Sequence, residues 1–127
     1  MSIHTTGAAV DAAHAQGRKA LIGYLTAGFP SPAQSVEAAK VLVEHGADVV
    51  ELGLPYSDPG MDGPIIQRTG QLALDRGARV DDVLRSVEQV AALGAAVVIM
   101  TYWNPVLRRG VDTFARQLAE AGGAGLI

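Results

Sequence analysis

Residues 47–64 read ADVVELGLPYSDPGMDGP, and this stretch decides how the rest of the chain is interpreted. A short β-branched run leads into Glu51, Leu52 and Gly53, which predicts a buried strand followed by a proline-rich loop. A carboxylate at the mouth of a buried sheet is costly unless it is paired, protonated or facing a site. Glu51 is therefore a candidate for chemistry. A loop carboxylate paired with an arginine is the plainer alternative, and it stays open at this point.

Strand-like and helix-like segments alternate along the chain. Strands are predicted at 21–27, 48–53, 95–102 and 124–127, and helices at 32–45, 64–74, 81–93 and 112–121. Such alternation predicts parallel strands joined by right-handed crossovers, and hence an α/β fold. An open doubly wound sheet and a TIM-type (β/α)8 barrel both fit this order, but no GxGxxG fingerprint follows the first strand to favour a dinucleotide site.

The length of the chain bears on the choice between these folds. A complete barrel takes about 250 residues, so the 127 residues present correspond to the first half of one. The last predicted strand ends the sequence before any loop could follow it. We therefore expect residues 1–127 to be a fragment, the N-terminal half of a single barrel domain.

Composition narrows the functional class. The chain is 49% hydrophobic and 18% charged, with a net charge of −3, so neither a nucleic-acid surface nor an anionic-membrane surface is indicated. The sequence has no cysteine, which excludes a disulfide scaffold, a cysteine-ligated metal and a thiol nucleophile. No secretory signal is evident, and the longest apolar run is far shorter than the roughly 20 residues that span a bilayer. These features predict a soluble, cytoplasmic protein.

Four motifs occur in one order and carry a family resemblance. They are YLTAGFP at 24–30, ELGLPYSDP at 51–59, DGP at 62–64 and TYWNP at 101–105. Together they resemble the tryptophan synthase α subunit family. The resemblance implies a (β/α)8 barrel and a lyase of tryptophan biosynthesis that cleaves indole-3-glycerol phosphate to indole and glyceraldehyde 3-phosphate. It also implies an α2β2 heterotetramer, with no cofactor in the α subunit and pyridoxal phosphate only in the β subunit.

The same resemblance assigns roles to two acids. Glu51 matches the family's catalytic glutamate, and Asp62 matches the aspartate that binds the indole N–H. The chemistry gives an independent reason for a pair: indole C3 must gain a proton while a side-chain hydroxyl loses one, and two carboxyl groups in different states can divide this work. Between them, prolines stiffen the loop, while Gly60 and Gly63 would allow it to move as a lid.

Further positions are expected to form the walls of the indole site. By resemblance to the family, Tyr24, Tyr102 and Met100 contact the ring, although an aromatic residue in a strand is often simply part of the core. Thr26 could supply a hydroxyl at the same mouth, or it could bind its own backbone. Trp103 is expected to serve in packing.

Other interpretations remain beside the lyase. One makes Glu51, Asp58 and Asp62 ligands of Mg²⁺ in a metal-dependent phosphate-sugar barrel enzyme. Another makes the chain a partner-binding and activating subunit that docks through loops 55–58 and 104–109. In the lyase interpretation Asp58 is structural, and its side chain caps backbone N–H groups of its turn. Barrels of this kind hold phosphate after the seventh and eighth strands, so we expect the 127 residues alone to be inactive.

Overall fold

Short apolar runs form a four-stranded parallel sheet in the computed structural model, which describes residues 4–127. In chain order the elements are α1 Thr6–Ala15, β1 Ile22–Thr26, α2 Pro32–Glu44, β2 Val49–Gly53, α3 Pro64–Asp75, α4 Val80–Ala91, β3 Ala96–Met100, α5 Trp103–Arg109, α6 Val111–Glu120 and β4 Gly125–Leu126. The strands lie side by side in sequence order, and each neighbouring pair is parallel. This arrangement confirms the predicted α/β class and matches the first half of a (β/α)8 barrel.

The two faces of the sheet are covered differently. One face packs against helices: the buried strand residues Val50, Leu52, Val97 and Ile99 join one core with side chains of α2, α4, α5 and α6. On the other face, Val49 and Val98 form a smaller cluster with Ala9 of α1. Because successive side chains of a strand point to opposite faces, Glu51 lies on this second face, away from the helix-covered core.

Two helices are absent from the sequence-based prediction. The apolar residues of α1 are mostly alanine, so the segment lacks a strong apolar stripe. The prediction of a loop at 104–109 is wrong, because these residues belong to α5. Pro105 is the third residue of this helix, where a backbone N–H has no intrahelical partner and a proline is therefore tolerated. Gly110, with φ +97°, then allows the sharp change of direction into α6.

The remaining predicted helices and strands are present close to their expected bounds. The last strand is short, but its backbone pairing with β3 extends from Ala124 to Ile127. None of the helices within residues 4–127 is both long and apolar enough to cross a membrane.

A buried serine fixes the loop that follows β1. Ser35, which is 2% exposed, accepts a hydrogen bond from the Gly28 N–H at 3.0 Å. Its own hydroxyl donates to the Pro32 carbonyl at 2.9 Å. The loop is thereby attached to the first turn of α2, directly after the strand end that carries Thr26.

Replacing Ser35 by Ala should destabilise the protein by about 1–3 kcal/mol, because a buried N–H loses its only side-chain acceptor. Urea unfolding measures this change. Ser57→Ala is the matched control: its exposed hydroxyl contacts only the neighbouring Asp58, so we expect an effect within about 0.5 kcal/mol. Equal effects of the two substitutions would contradict the role given to Ser35.

An ion pair joins the segments that lead into β1 and β2. Arg18 donates to both carboxylate oxygens of Asp48, at 2.7 and 3.1 Å, and the Leu21 N–H donates to the same carboxylate at 2.8 Å. The Arg18 guanidinium, followed by this N–H, lowers the pKa of Asp48 from its ordinary 3.8 to about 2. The chain entering β1 is thereby held to the start of β2.

The lowered pKa of Asp48 predicts an acid-sensitive contribution to stability. A carboxyl group whose pKa is depressed by folding stabilises the protein above its unfolded pKa, and this contribution is lost as pH falls from 3.8 to about 2. Asp48→Asn should therefore reduce the pH dependence of the urea midpoint in this window and lower stability at neutral pH. Asp11→Asn, at an exposed position of α1, should keep the pH dependence. An unchanged acid slope in Asp48→Asn would contradict the assignment.

Candidate active site

A cavity of about 250 Å³ lies at the carboxyl ends of β1, β2 and β3. Five of the predicted site residues line it: Tyr24, Thr26, Asp62, Met100 and Tyr102. Most of the remaining wall is apolar or aromatic, including Leu54, Tyr56 and Ile66. The carboxyl ends of the strands are where barrel enzymes place their active sites, so the structure brings these side chains together at the expected edge.

Glu51 lies one layer deeper in the sheet and does not itself line the cavity. It is the middle residue of β2, because Leu52 and Gly53 continue the pairing with both neighbouring strands. In the parallel register it stands between Tyr24 and Val98. Its side chain is half-buried, and it takes part in none of the ion pairs found within residues 4–127. The alternative of a carboxylate paired with arginine is therefore not observed.

Tyr24 links the layer of Glu51 to the cavity above it. Its ring leans from β1 across β2, so that a Cβ placed on Gly53 would be 2.0 Å from the tyrosine oxygen. Only glycine leaves room for this approach. Burial raises the pKa of the Tyr24 hydroxyl, the nearby Thr26 hydroxyl acts in the opposite direction, and the charges of Asp62 and Glu51 raise it further. Both predicted acids thus lie close enough to influence the same phenol.

The loop that carries Asp62 is tied down on two sides. On one side the Met61 N–H donates to the Tyr102 hydroxyl at 2.9 Å. On the other, the Gln67 amide of α3 donates to the Asp62 carbonyl at 2.8 Å and to the Pro59 carbonyl at 3.2 Å. These contacts hold the Asp62 carboxyl group at the cavity wall.

Two smaller expectations change with the structure. Thr26 does not bind its own backbone: its hydroxyl lies 2.7 Å from that of Thr69 on α3. The carboxylate of Asp58 accepts from the Ser57 hydroxyl at 2.8 Å, and the backbone bond of this turn instead joins the Gly60 N–H to the Asp58 carbonyl. The prediction that the Asp58 side chain caps backbone N–H groups is therefore wrong, because its carboxylate accepts from the adjacent Ser57 hydroxyl instead.

Two further predictions, the packing role of Trp103 and the magnesium site, also need correction. Trp103 is 58% exposed, so it contributes less to packing than expected. Within the part of the chain that the structure describes, no three His, Asp or Glu side chains are placed to hold a metal ion together. Asp58 in particular is exposed and does not line the cavity that contains Asp62. The three-carboxylate magnesium site is not supported.

Several residues of the site are not found by inspecting the sequence. Gly53 makes room for Tyr24, Thr69 binds Thr26, Gln67 holds the Asp62 loop, and Tyr56 stacks on Tyr102 with ring centroids 5.1 Å apart. Tyr56 and Gly53 belong to the motif at 51–59, which was a usable signal. Thr69 and Gln67 lie in an ordinary helix, and only their contacts across the fold distinguish them.

Removing the Tyr102 hydroxyl should loosen the Asp62 loop. In Tyr102→Phe the Met61 N–H loses its acceptor, and we expect its hydrogen exchange to rise about 2–10-fold, as for one net hydrogen bond. Amide exchange read by NMR or mass spectrometry measures this. Tyr56→Phe, which keeps both the aromatic stack and the Tyr102 hydroxyl, should leave exchange at Met61 unchanged. If exchange also stays the same in Tyr102→Phe, this tether is not what holds the loop.

Comparison with known proteins agrees with the geometry. A sequence model of the family described as "Tryptophan synthase alpha chain" matches residues 10–127. The tryptophan synthase alpha chain of Mycobacterium marinum is 58% identical over 121 residues, and that of Salinispora tropica is 59% identical; each alignment covers 95% of this chain and 45% of the relative.

Solved structures superpose closely as well. Mycobacterium tuberculosis tryptophan synthase aligns with a TM-score of 0.93 at 54% identity, covering 98% of this chain and 49% of the matched one. Tryptophan synthase subunit alpha from Legionella pneumophila aligns with a TM-score of 0.88 at 42% identity, covering 93% of this chain and 46% of the matched one. The chain therefore spans about half the length of the relatives that it matches. On the family match and these identities, the chain belongs to the tryptophan synthase alpha chain family.

Proposed function

We propose that this chain supplies the acid pair of a lyase that cleaves indole-3-glycerol phosphate to indole and glyceraldehyde 3-phosphate in tryptophan biosynthesis. One observation carries the proposal: Asp62 lines an apolar cavity at the carboxyl ends of the strands, and Glu51 lies in the layer directly beneath it. Membership of the family supports the same reaction. This chemistry, proton transfer coupled to cleavage of one carbon–carbon bond, needs no cofactor in this chain.

The two carboxyl groups divide the proton transfers. Glu51 in its acid form gives a proton to indole C3, and its carboxylate then accepts the proton of the side-chain hydroxyl next to the breaking bond. As the C3–carbon bond breaks, the electron pair returns to the indole ring and the hydroxyl carbon becomes the aldehyde of glyceraldehyde 3-phosphate. Asp62 accepts a hydrogen bond from the indole N–H and stabilises the positive charge that develops there.

The cavity suits the ring of this substrate. Apolar protein cavities of about 150 Å³ bind benzene, and about 250 Å³ leaves room for a fused two-ring system. Tyr24, Met100 and Tyr102 form the walls against which the indole ring packs, and Thr26 lies at the same mouth. In this arrangement the ring N–H faces Asp62, while C3 faces down toward Glu51.

Other parts of the substrate are bound outside these residues. Barrels of this kind hold phosphate at loops after strands seven and eight, whereas the chain contributes four strands. We propose that residues 1–127 form the N-terminal half of a single barrel domain and that they are inactive without the other half. The phosphate group would then be held by the half that the relatives possess beyond the aligned region.

Three large apolar side chains are exposed on the loop before α3 and on α5. Met61 is 91% exposed, and Trp103 and Leu107 of α5 are 58% and 57% exposed. Large exposed apolar side chains are candidates for a protein interface. We propose that they contact the β subunit of a cytoplasmic α2β2 tryptophan synthase, in which pyridoxal phosphate belongs to the β subunit. Binding of this partner and catalysis are compatible, because Glu51 lies inside the fold and the apolar side chains lie on its surface.

The test uses a completed chain, in which the 127 residues are joined to the C-terminal part of the Mycobacterium marinum relative beyond the aligned region. This chain should release indole from indole-3-glycerol phosphate. Glu51→Gln should lower kcat about 10²–10⁴-fold, as expected for loss of a general acid or base. Asp62→Asn should also lower kcat, because the amide carries no charge to stabilise the ring N–H.

Controls separate loss of chemistry from loss of structure. Glu44→Gln, at the exposed end of α2, should keep the activity of the completed chain. Binding to a β subunit, measured by calorimetry, should be the same in Glu51→Gln as in the unmodified completed chain. Indole release by Glu51→Gln within tenfold of the unmodified rate would contradict the catalytic role of Glu51.

A further inference from the structure

A phenol is one of the two cross-strand neighbours of Glu51, on the sheet face away from the helix-covered core. Tyr24 and Glu51 are direct partners in the parallel register of β1 and β2, so their side chains leave the sheet on the same face about 4.8 Å apart. The tyrosine ring does not stand straight up from β1. It leans toward β2 until its oxygen lies over Gly53, two residues beyond Glu51 toward the cavity.

This position brings the hydroxyl within reach of the Glu51 carboxylate. Two residues along a strand span about 6.6 Å, which is the approximate separation of the Glu51 Cβ from the site above Gly53. An extended glutamate side chain that leans along its strand covers most of this distance. Neither carboxylate is hydrogen-bonded to Tyr24 in this structure, and a change of rotamer in Glu51 would bring its carboxylate toward the phenol.

The other groups around the Tyr24 hydroxyl already have partners or other roles. The titratable groups that face it are Asp62 from the loop after β2, Glu51 from β2 itself, and Tyr102 from the end of β3. The Tyr102 hydroxyl accepts the Met61 N–H, and the neighbouring Thr26 hydroxyl is paired with Thr69. In the proposed reaction Asp62 is occupied by the indole N–H. Burial raises the pKa of Tyr24, hydrogen bonding with the Thr26 hydroxyl opposes this rise, and of the two carboxylates that face the phenol, Glu51 is the one left free to accept its proton.

We propose that Tyr24 is a positioning residue for Glu51, donating a hydrogen bond to its carboxylate when the cavity is occupied. The bond holds Glu51 toward the ring and stabilises its ionised form, because a hydrogen bond to the charged state of a carboxyl group favours that state. Gly53 is required for this position of the Tyr24 ring, since any larger residue would displace the phenol. The inference rests on the proposed lyase reaction and adds Tyr24 as the residue that orients Glu51.

The test measures the pH dependence of indole release by the completed chain. Glu51 acts from its acid form, so its pKa in the occupied cavity sets the basic limb of the kcat profile. In Tyr24→Phe this limb should move to higher pH by about one unit, because the carboxylate loses one hydrogen bond. Replacing Tyr24 by 3-fluorotyrosine, a more acidic phenol and hence a stronger donor, should move the limb to lower pH. A residue that only fills the wall would alter KM or thermal stability in these variants and leave the limb in place.

Tyr56→Phe is the matched control, because it removes a second phenolic hydroxyl from the same cavity and should leave the limb in place. An unmoved limb in both Tyr24 variants, with indole still released, overturns the positioning role and leaves the lyase intact. A completed chain that releases no indole overturns both proposals. Limb shifts of the same size in the Tyr24 and Tyr56 variants also overturn the specific role of Tyr24.

Discussion

The register of the parallel sheet is the constraint on which the site depends. Val50 and Leu52 must face the helices to be buried, and side chains alternate along a strand, so Glu51 is forced onto the opposite face. A slip of one residue would exchange the two faces. It would place the carboxylate in the apolar core at a cost of several kcal/mol and expose the valine and leucine. Burial of apolar side chains on one face thereby positions the acid on the other.

The same register connects three strands into one layer of the site. Tyr24, Glu51 and Val98 stand side by side, and the next layer toward the cavity contains Gly53, the smallest residue. The absence of a side chain there lets the tyrosine cross from one strand to the next. The acid is half-buried beside a phenol.

Contacts from helices and loops position the part of the site that the strands do not carry. Asp62 belongs to the loop after β2 rather than to a strand, and its place at the cavity comes from Gln67 on α3 and Tyr102 after β3. The order of strands and helices could be predicted because each has a period that can be recognised in the sequence. By contrast, α5 lies where the sequence predicted a loop, and its proline falls in the first turn, where a proline breaks no intrahelical hydrogen bond.

The sequence by itself determined the α/β class and the parallel strands, because apolar periodicity is a local property of the chain, and its motifs pointed to Glu51 and Asp62 as candidate acids. Only the tertiary structure decided that Glu51 lies beneath Tyr24 and outside the cavity wall, that Thr26 binds Thr69, and that Asp58 turns away from Asp62. Those arrangements depend on contacts between segments far apart in sequence. Such contacts exist only after the strands have paired and the helices have packed against them.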